Sequence, residues 1–109
     1  MQRLKTRAEF QAVLAAGIAA RTAHFALHRM PHPEPAIGVV IPKRWAKRAV
    51  TRNTIKRQVH SVSQSVPLPA AAYIVRLRTG FAGFRSATSD ALKRAVRGEL
   101  TQLFAQVAA

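Results

Sequence analysis

The sequence has 109 residues, of which 18 are lysine or arginine and four are aspartate or glutamate, so the formal net charge at pH 7 is +14. A chain of this length forms one small domain, here residues 1–109, and so large a positive charge favours a polyanionic partner that neutralises it. The absence of cysteine excludes disulfides and thiolate metal sites. Disorder is disfavoured because 49% of the residues are hydrophobic and fall in periodic runs.

The N-terminal segment predicts a short amphipathic helix from about Arg7 to Ala16. Thr6 and Glu9 have the spacing of a capping box, and Gly17 is suited to end the helix. Its apolar residues form one stripe at i, i+3 and i+4, which is more often core than binding surface: Phe10, Val13 and Leu14.

Two strands joined by a loop are predicted next. Residues 23–30 alternate, which places Phe25 and Leu27 on one face of a strand. Residues 31–35 contain three prolines and predict the loop of a hairpin. Residues 36–41 are rich in β-branched side chains and predict the second strand of that hairpin.

A second helix is predicted to begin between Lys47 and Arg52 and to end at about Ser65, before two prolines. At about 100° per residue, one side of this helix is apolar and suited to a core: Ile55, Val59, Val62 and Val66. An adjoining side is polar: Asn53, Lys56, Arg57, His60 and Gln64. The helix therefore has one face for the core and one for a ligand.

The C-terminal third predicts a strand at residues 70–78, a loop at 80–89 and a final helix at 90–107. The loop bears Phe81, Phe84 and Arg85. The inward side of the last helix is apolar: Leu92, Val96, Leu100, Leu103 and Phe104. This order of elements predicts a small α+β sandwich with helices packed on a sheet.

Candidate catalytic and metal-binding groups are few. The four carboxylates form no pair, and the four histidines show no ligand spacing with an acid: Glu9, Glu34, Asp90 and Glu99; His24, His28, His32 and His60. Glycine-rich phosphate loops are missing too. We therefore expect no catalytic side chain and no metal bound by the protein.

Binding groups are concentrated between residues 43 and 57, where seven lysines and arginines occur without one acid. Their spacing on a strand end and a helix suits successive phosphates of a folded polynucleotide. The alternative is that these side chains only solvate the outer face of an amphipathic helix. Trp45 lies within the run and could stack or anchor the loop, two roles that its position does not separate.

Residues 43–57, from Lys43-Arg44 to Arg52-Asn53-Thr54-Ile55-Lys56-Arg57, resemble the signature of the bacterial ribonuclease P protein component. The similarity extends over roughly residues 4–104. It includes Glu9-Phe10 with Gly17 in the first helix, Ile37-Gly38-Val39 before the signature, and Ala72-Tyr73-Ile74-Val75 after it.

The resemblance implies the non-catalytic protein subunit of a ribonucleoprotein endonuclease that removes the 5′ leader of precursor tRNA. The lack of a signal-peptide run and of a membrane span predicts a cytoplasmic location. The RNA subunit carries the hydrolysis and requires Mg²⁺, and the protein binds no cofactor and pairs 1:1 with that RNA. The fold implied is ribosomal-protein-domain-like, with a mixed sheet of about four strands and a left-handed β-α-β crossover.

The resemblance also assigns residues to two RNA-binding regions. One set docks on the catalytic RNA: Lys43, Arg44, Lys47, Arg48, Arg52, Asn53, Lys56, Arg57 and His60. A cleft between the first helix and the sheet takes the single-stranded leader, with a sequence-tolerant lining: Phe10, Leu14 and His28.

Some positions depart from the family pattern. Thr54 stands where a basic residue is usual, His60 and Ser61 replace a common Arg-Glu pair, and Ala72 stands where an acid is frequent. Leu14 and His28 offer less stacking surface than two aromatic residues. These departures bear on leader binding and on the His60 contact more than on RNA docking.

Two other functions share the basic helix. A general RNA-binding module, such as a ribosomal or chaperone-like protein, needs no leader cleft. A basic amphipathic protein of membrane surfaces is a third possibility, although the strands and the proline-bounded core argue against it. No segment approaches the roughly 20 apolar residues of a membrane span, and the basic N-terminus lacks a signal-peptide run.

Overall fold

The computed structural model describes residues 1–81 and 90–108. Three helices pack on one mixed sheet of five strands. In chain order the elements are β1 (Gln2–Arg3), α1 (Arg7–Ala15), β2 (Ile18–Arg21), β3 (Phe25–Pro31), β4 (Ala36–Val40), α2 (Ala49–Ser65), β5 (Ala71–Leu77) and α3 (Asp90–Ala105).

The sheet has the strand order β1-β4-β5-β3-β2. Strand β5 lies at its centre, parallel to β4 and antiparallel to β3. The predicted hairpin between β3 and β4 is therefore wrong, because β5 lies between these strands. The physical reason is that a central strand must be apolar on both faces, and β5 meets this condition since every residue except the partly exposed Arg76 is buried.

Two short edge strands have no counterpart in the prediction, so the sheet has five strands rather than about four. Strand β1 pairs parallel with β4 over only two residues, too few to show a period. Strand β2 pairs antiparallel with β3, with an irregularity between Ile18 and Ala20. It starts directly after Gly17, whose φ of 95° turns the chain out of α1.

Helix α1 covers one face of the sheet. Its capping box is confirmed: the Glu9 amide donates to Thr6 Oγ1 at 3.1 Å and the Thr6 amide donates to Glu9 Oε1 at 3.0 Å. Val13 is fully buried against this face, and Phe10 and Leu14 are partly buried. The ring of Phe10 lies so close to Gly38 that a Cβ there would be 2.8 Å from Cε1 and Cζ.

Helices α2 and α3 cover the opposite face and enclose the larger core. The predicted apolar side of α2 is confirmed, since Ile55, Val59 and Val62 are buried and Val66 packs at the margin. The predicted inward side of α3 is buried in full: Leu92, Val96, Leu100, Leu103 and Phe104. The α2–α3 contact leaves the polar side of α2 open to solvent.

Strands β4 and β5 are adjacent, parallel and joined through α2, which makes the β-α-β crossover. The left-handedness of this crossover stays a prediction. Of the expected loop at 80–89, Phe81 stacks on His24, with ring centroids 4.0 Å apart. Phe84 and Arg85 lie outside the described residues.

Candidate RNA interface

The polar side of α2 forms a basic depression on the protein surface. Its lining residues include four from the predicted RNA-binding set and one from β1: Asn53, Lys56, Arg57, His60 and Arg3. Three of the α2 side chains are fully exposed, while His60 is partly buried. Gln64, at the end of the same row, is exposed but lines a neighbouring pocket.

Arg3 was not among the residues predicted from the sequence. It reaches the depression because β1 pairs with β4 in parallel, Arg3 opposite Ile37. The only sequence signal for this position is an arginine in a basic N-terminus, and nothing in a two-residue strand predicts which helix it will meet. The parallel pairing therefore adds a third cation to Lys56 and Arg57.

The electrostatics of the depression are visible at His60. Partial burial lowers the pKa of this imidazole, and the charges of Arg3 and Lys56 lower it further. The ring is therefore held neutral among cations at neutral pH. A neutral imidazole retains one donor and one acceptor, so His60 can donate to a phosphate oxygen or bond to a base edge.

The loop between β4 and α2 carries the remaining predicted cations, all of them exposed: Lys43, Arg44, Lys47 and Arg48. The amides of Trp45 and Ala46 donate to the Pro42 carbonyl at 3.0 and 3.2 Å, which closes the turn. The loop thus holds its basic side chains next to the first turn of α2.

Arg52, one of the predicted RNA-binding residues, also bonds to the backbone of the loop. Its Nη1 donates to the carbonyls of Ala46 at 2.9 Å and Lys47 at 2.8 Å. These bonds tie the loop to α2, because they satisfy two carbonyls that no helix bond would reach. Arg52 therefore orders the basic loop and presents only its remaining donors to a ligand.

Trp45 is 37% exposed at the tip of this loop. The guanidinium carbon of Arg44 lies 5.2 Å from the centroid of its ring. Its backbone carbonyl lies 3.1 Å from where a Cβ on Gly80 would be, so the loop also packs against the end of the β5 segment. The cation-π contact fixes the direction of Arg44.

Three positions that depart from the family pattern make contacts within the protein: Thr54, Ser61 and Ala72. Thr54 is 5% exposed and its hydroxyl donates to the Val50 carbonyl at 2.9 Å. Ser61 Oγ accepts from Arg97 of α3 at 3.1 Å. Ala72 is 1% exposed beneath α1, where an acid would be buried. Thr54 and Ala72 therefore lie outside the basic depression.

The predicted leader residues come together on the α1 face of the sheet. Phe10 and Leu14 are partly buried, whereas His28 is only 6% exposed. Met30 and Val40 extend the apolar lining from β3 and β4. Phe10 and Leu14 thus supply accessible apolar surface on this face, and His28 is buried in the sheet.

Within the described residues, no three His, Asp or Glu side chains converge as a potential metal site. The described helices include none long and apolar enough to cross a membrane.

Comparison with known proteins gives a consistent result. The family model described as Ribonuclease P matches residues 1–107. The chain is 38% identical over 115 residues to the "Ribonuclease P protein component" of Bordetella parapertussis, covering 97% of this chain and 91% of that protein. It is 41% identical over 106 residues to that of Ralstonia pickettii, covering 94% of this chain and 76% of that protein.

The fold is similar to two solved structures. The RNase P protein of Staphylococcus aureus aligns with a TM-score of 0.78 at 21% identity, covering 100% of this chain and 99% of that one. The RNase P protein from Thermotoga maritima aligns with a TM-score of 0.73 at 18% identity, covering both chains completely at 100%.

Proposed function

Because this chain belongs to the ribonuclease P protein component family, we propose that its two RNA-binding regions serve two different RNAs. The family makes it the protein subunit of the ribonuclease P ribonucleoprotein, an endoribonuclease that matures the 5′ end of tRNA. Its partner is the ribonuclease P RNA. The division of its surface between that RNA and the substrate is the proposal.

The basic depression docks on the ribonuclease P RNA. The observation that carries this is the meeting of Arg3, Lys56 and Arg57 from two elements around one surface depression. Asn53 and the neutral His60 add hydrogen bonds of defined direction. Cations contribute affinity to any phosphate backbone, whereas this fixed geometry suits a folded RNA of one shape.

The basic loop extends this contact along the same RNA. Lys43, Arg44, Lys47 and Arg48 are exposed and ordered by the Arg52 bonds. Because the loop is ordered before binding, it loses less conformational entropy when it binds RNA. One protein pairs with one RNA in this arrangement.

The cleft on the α1 face takes the 5′ leader of precursor tRNA. Phe10 and Leu14 offer apolar contact to unpaired bases, and such contact tolerates different bases because each base has an apolar face. His28 supports the floor of the cleft. This region and the basic depression are separate surfaces, so both RNAs can be bound at once.

Hydrolysis of the phosphodiester is carried by the RNA subunit with Mg²⁺, and the complex works in the cytoplasm. The protein's own contribution is then to bind substrate and to neutralise phosphate repulsion between two RNAs. Its net charge of +14 suits that task.

The experiment is processing of a precursor tRNA by the cognate RNA at low Mg²⁺, with and without this protein. We expect the protein to raise the processing rate markedly. We also expect it to strengthen the binding of a precursor with a leader more than the binding of leaderless tRNA. Equal rates with and without protein would contradict the proposal. A gain that is independent of the leader would retain RNA docking and refute the leader cleft.

A further inference from the structure

Arg76 is an unusual residue for the centre of a sheet. It lies on β5, where every other residue is buried, and it is partly exposed. Its Nε donates to Nε2 of His28 on the neighbouring strand at 3.2 Å. The two side chains lie on the α1 face, since His28 is in register with Ile74 and Arg76 follows two residues later.

His28 holds Arg76 as a neutral acceptor. Because Nε2 accepts, the imidazole proton resides on Nδ1, which is buried near the backbone of Gly17 and Leu14 but forms no well-aligned hydrogen bond within the described residues. Burial lowers the pKa of His28 and the charge of Arg76 lowers it further, while the carbonyls of Gly17 and Leu14 act in the opposite direction. Within the described residues, the terminal amino groups of Arg76 have no hydrogen bond and can bind elsewhere.

A second arginine lies in the same row of the sheet. Ala26 pairs with Arg76 on one side and with Arg21 of β2 on the other. Residues paired across strands share a face, so both arginines start from the α1 face with only a methyl side chain between them. Two strand spacings separate their backbones by about 10 Å. We call Arg21 and Arg76 the arginine pair.

Within its described residues, the chain offers no aspartate or glutamate to this pair. Its four carboxylates are placed elsewhere: Glu9 in the capping box of α1, Glu34 accepting from Gln2, Glu99 accepting from Thr22 and His24, and Asp90 in the first turn of α3. Among the described residues, neither arginine forms an ion pair. A partly buried cation without a counter-charge is unfavourable, and an external anion relieves this cost.

We propose that the arginine pair binds backbone phosphates of the single-stranded leader where it continues past the apolar cleft. This rests on the proposed leader function and extends it to residues outside the predicted set. Arg76 makes the direct contact and His28 is its positioning residue. Arg21, exposed on the edge strand, makes the second contact. Phosphate contacts carry no base information, so they add affinity for every leader alike.

The test compares Arg76→Gln and Arg21→Gln with Arg94→Gln, which removes the same charge from an exposed site on α3. Each variant is reconstituted with the cognate RNA, and dissociation constants are measured for precursor tRNA and for mature tRNA. We expect Arg76→Gln to weaken precursor binding by about tenfold, the usual effect of one charge-assisted hydrogen bond. The dissociation constant for mature tRNA should not change in these variants. Arg94→Gln should bind precursor tRNA as tightly as the wild type does.

Salt dependence gives a second readout that a loss of stability would not reproduce. Removing one phosphate contact should reduce the slope of log affinity against log salt by about 0.7, the single-strand value. Arg76→Lys retains the charge and should retain the slope while losing part of the affinity. If Arg76→Gln does not fold, the exposed Arg21→Gln tests the pair by the same two readouts.

A precursor with one neutral methylphosphonate in the leader locates the contact. At one position, the methylphosphonate should weaken precursor binding by the wild-type protein as much as Arg76→Gln does. The same methylphosphonate should not weaken binding by Arg76→Gln any further. Additive effects at every position, or equal losses for precursor and mature tRNA, would overturn the assignment. A wild-type protein indifferent to the leader would instead refute the leader cleft itself.

Discussion

Replacing Gly38 with alanine should displace Phe10, the aromatic residue of the proposed leader cleft. The new Cβ would lie 2.8 Å from Cε1 and Cζ of Phe10 and 3.1 Å from Cδ1 of Leu4, where ordinary contact begins at 3.4 Å. The ring must therefore move by about 0.6 Å or more. Such overpacking costs about 1–3 kcal/mol, and the lower entropy of the unfolded alanine chain offsets about 0.4–1 kcal/mol.

We therefore expect Gly38→Ala to destabilise the protein by about 1–2 kcal/mol, which is a fall in Tm of about 5–15 °C for a domain of this size. Urea unfolding followed by circular dichroism measures this. The matched control is Gly98→Ala in the interior of α3, where a Cβ meets nothing within 4 Å. There alanine should stabilise the helix by about 0.5–1 kcal/mol.

The double variant Phe10→Leu with Gly38→Ala separates crowding from other effects. A smaller side chain at position 10 should recover part of the stability lost in Gly38→Ala, so the two changes should not be additive. In the reconstituted enzyme, Gly38→Ala should weaken binding of leader-bearing precursor and leave RNA docking unchanged. Stability equal to that of the Gly98 control, or no rescue by leucine, would refute the seating of Phe10 on Gly38.

Three further outcomes are expected. The double variant Lys56→Ala with Arg57→Ala should lower the affinity for the ribonuclease P RNA. It should also reduce the slope of log affinity against log salt by about 2 relative to Arg94→Gln, at about 0.9 per phosphate contact as in duplexes. An unchanged slope would place the interface elsewhere. Burial and neighbouring cations lower the pKa of His60, so this imidazole binds a proton more tightly in the unfolded chain than in the folded protein. Stability should therefore fall as the pH drops through about 6.5. His60→Asn should make the urea midpoints between pH 7.5 and 5 less dependent on pH. Thr6→Ala removes the helix cap and should cost about 1 kcal/mol in the same assay without affecting RNA docking; no loss would contradict the capping role.

Local signals in the sequence predicted much of this fold. The capping box, the bounds of α2 and the buried sides of α2 and α3 are confirmed because each depends on residues within a few turns of one another. Strand order depends on pairing between distant segments, which periodicity does not report. The prolines after β3 predicted a hairpin, whereas the run of buried residues in β5, interrupted only by Arg76, was the better signal of its central position.

The candidate site shows the same division. The polar row of α2 could be predicted because helical geometry alone brings its members together. Arg3 and Arg76 could not, since each joins its neighbours through strand register. The role of Arg52 in ordering the loop was equally hidden, because a side chain that donates to backbone carbonyls of a nearby loop has the same sequence signature as one that faces a ligand.

The strand order also sets a distance between the two proposed RNA-binding regions. Arg3 lies on the edge strand β1 and Arg21 on the opposite edge strand β2, four strand spacings apart, or about 19 Å. The hydrogen-bonded strands fix this distance between the backbones of the two arginines, and side-chain motion does not change it. In the proposed arrangement, a leader gains the contacts of the arginine pair only when it is long enough to reach β2. Its contribution to binding should therefore rise at a threshold length, and the protein would distinguish precursors by reach as well as by charge.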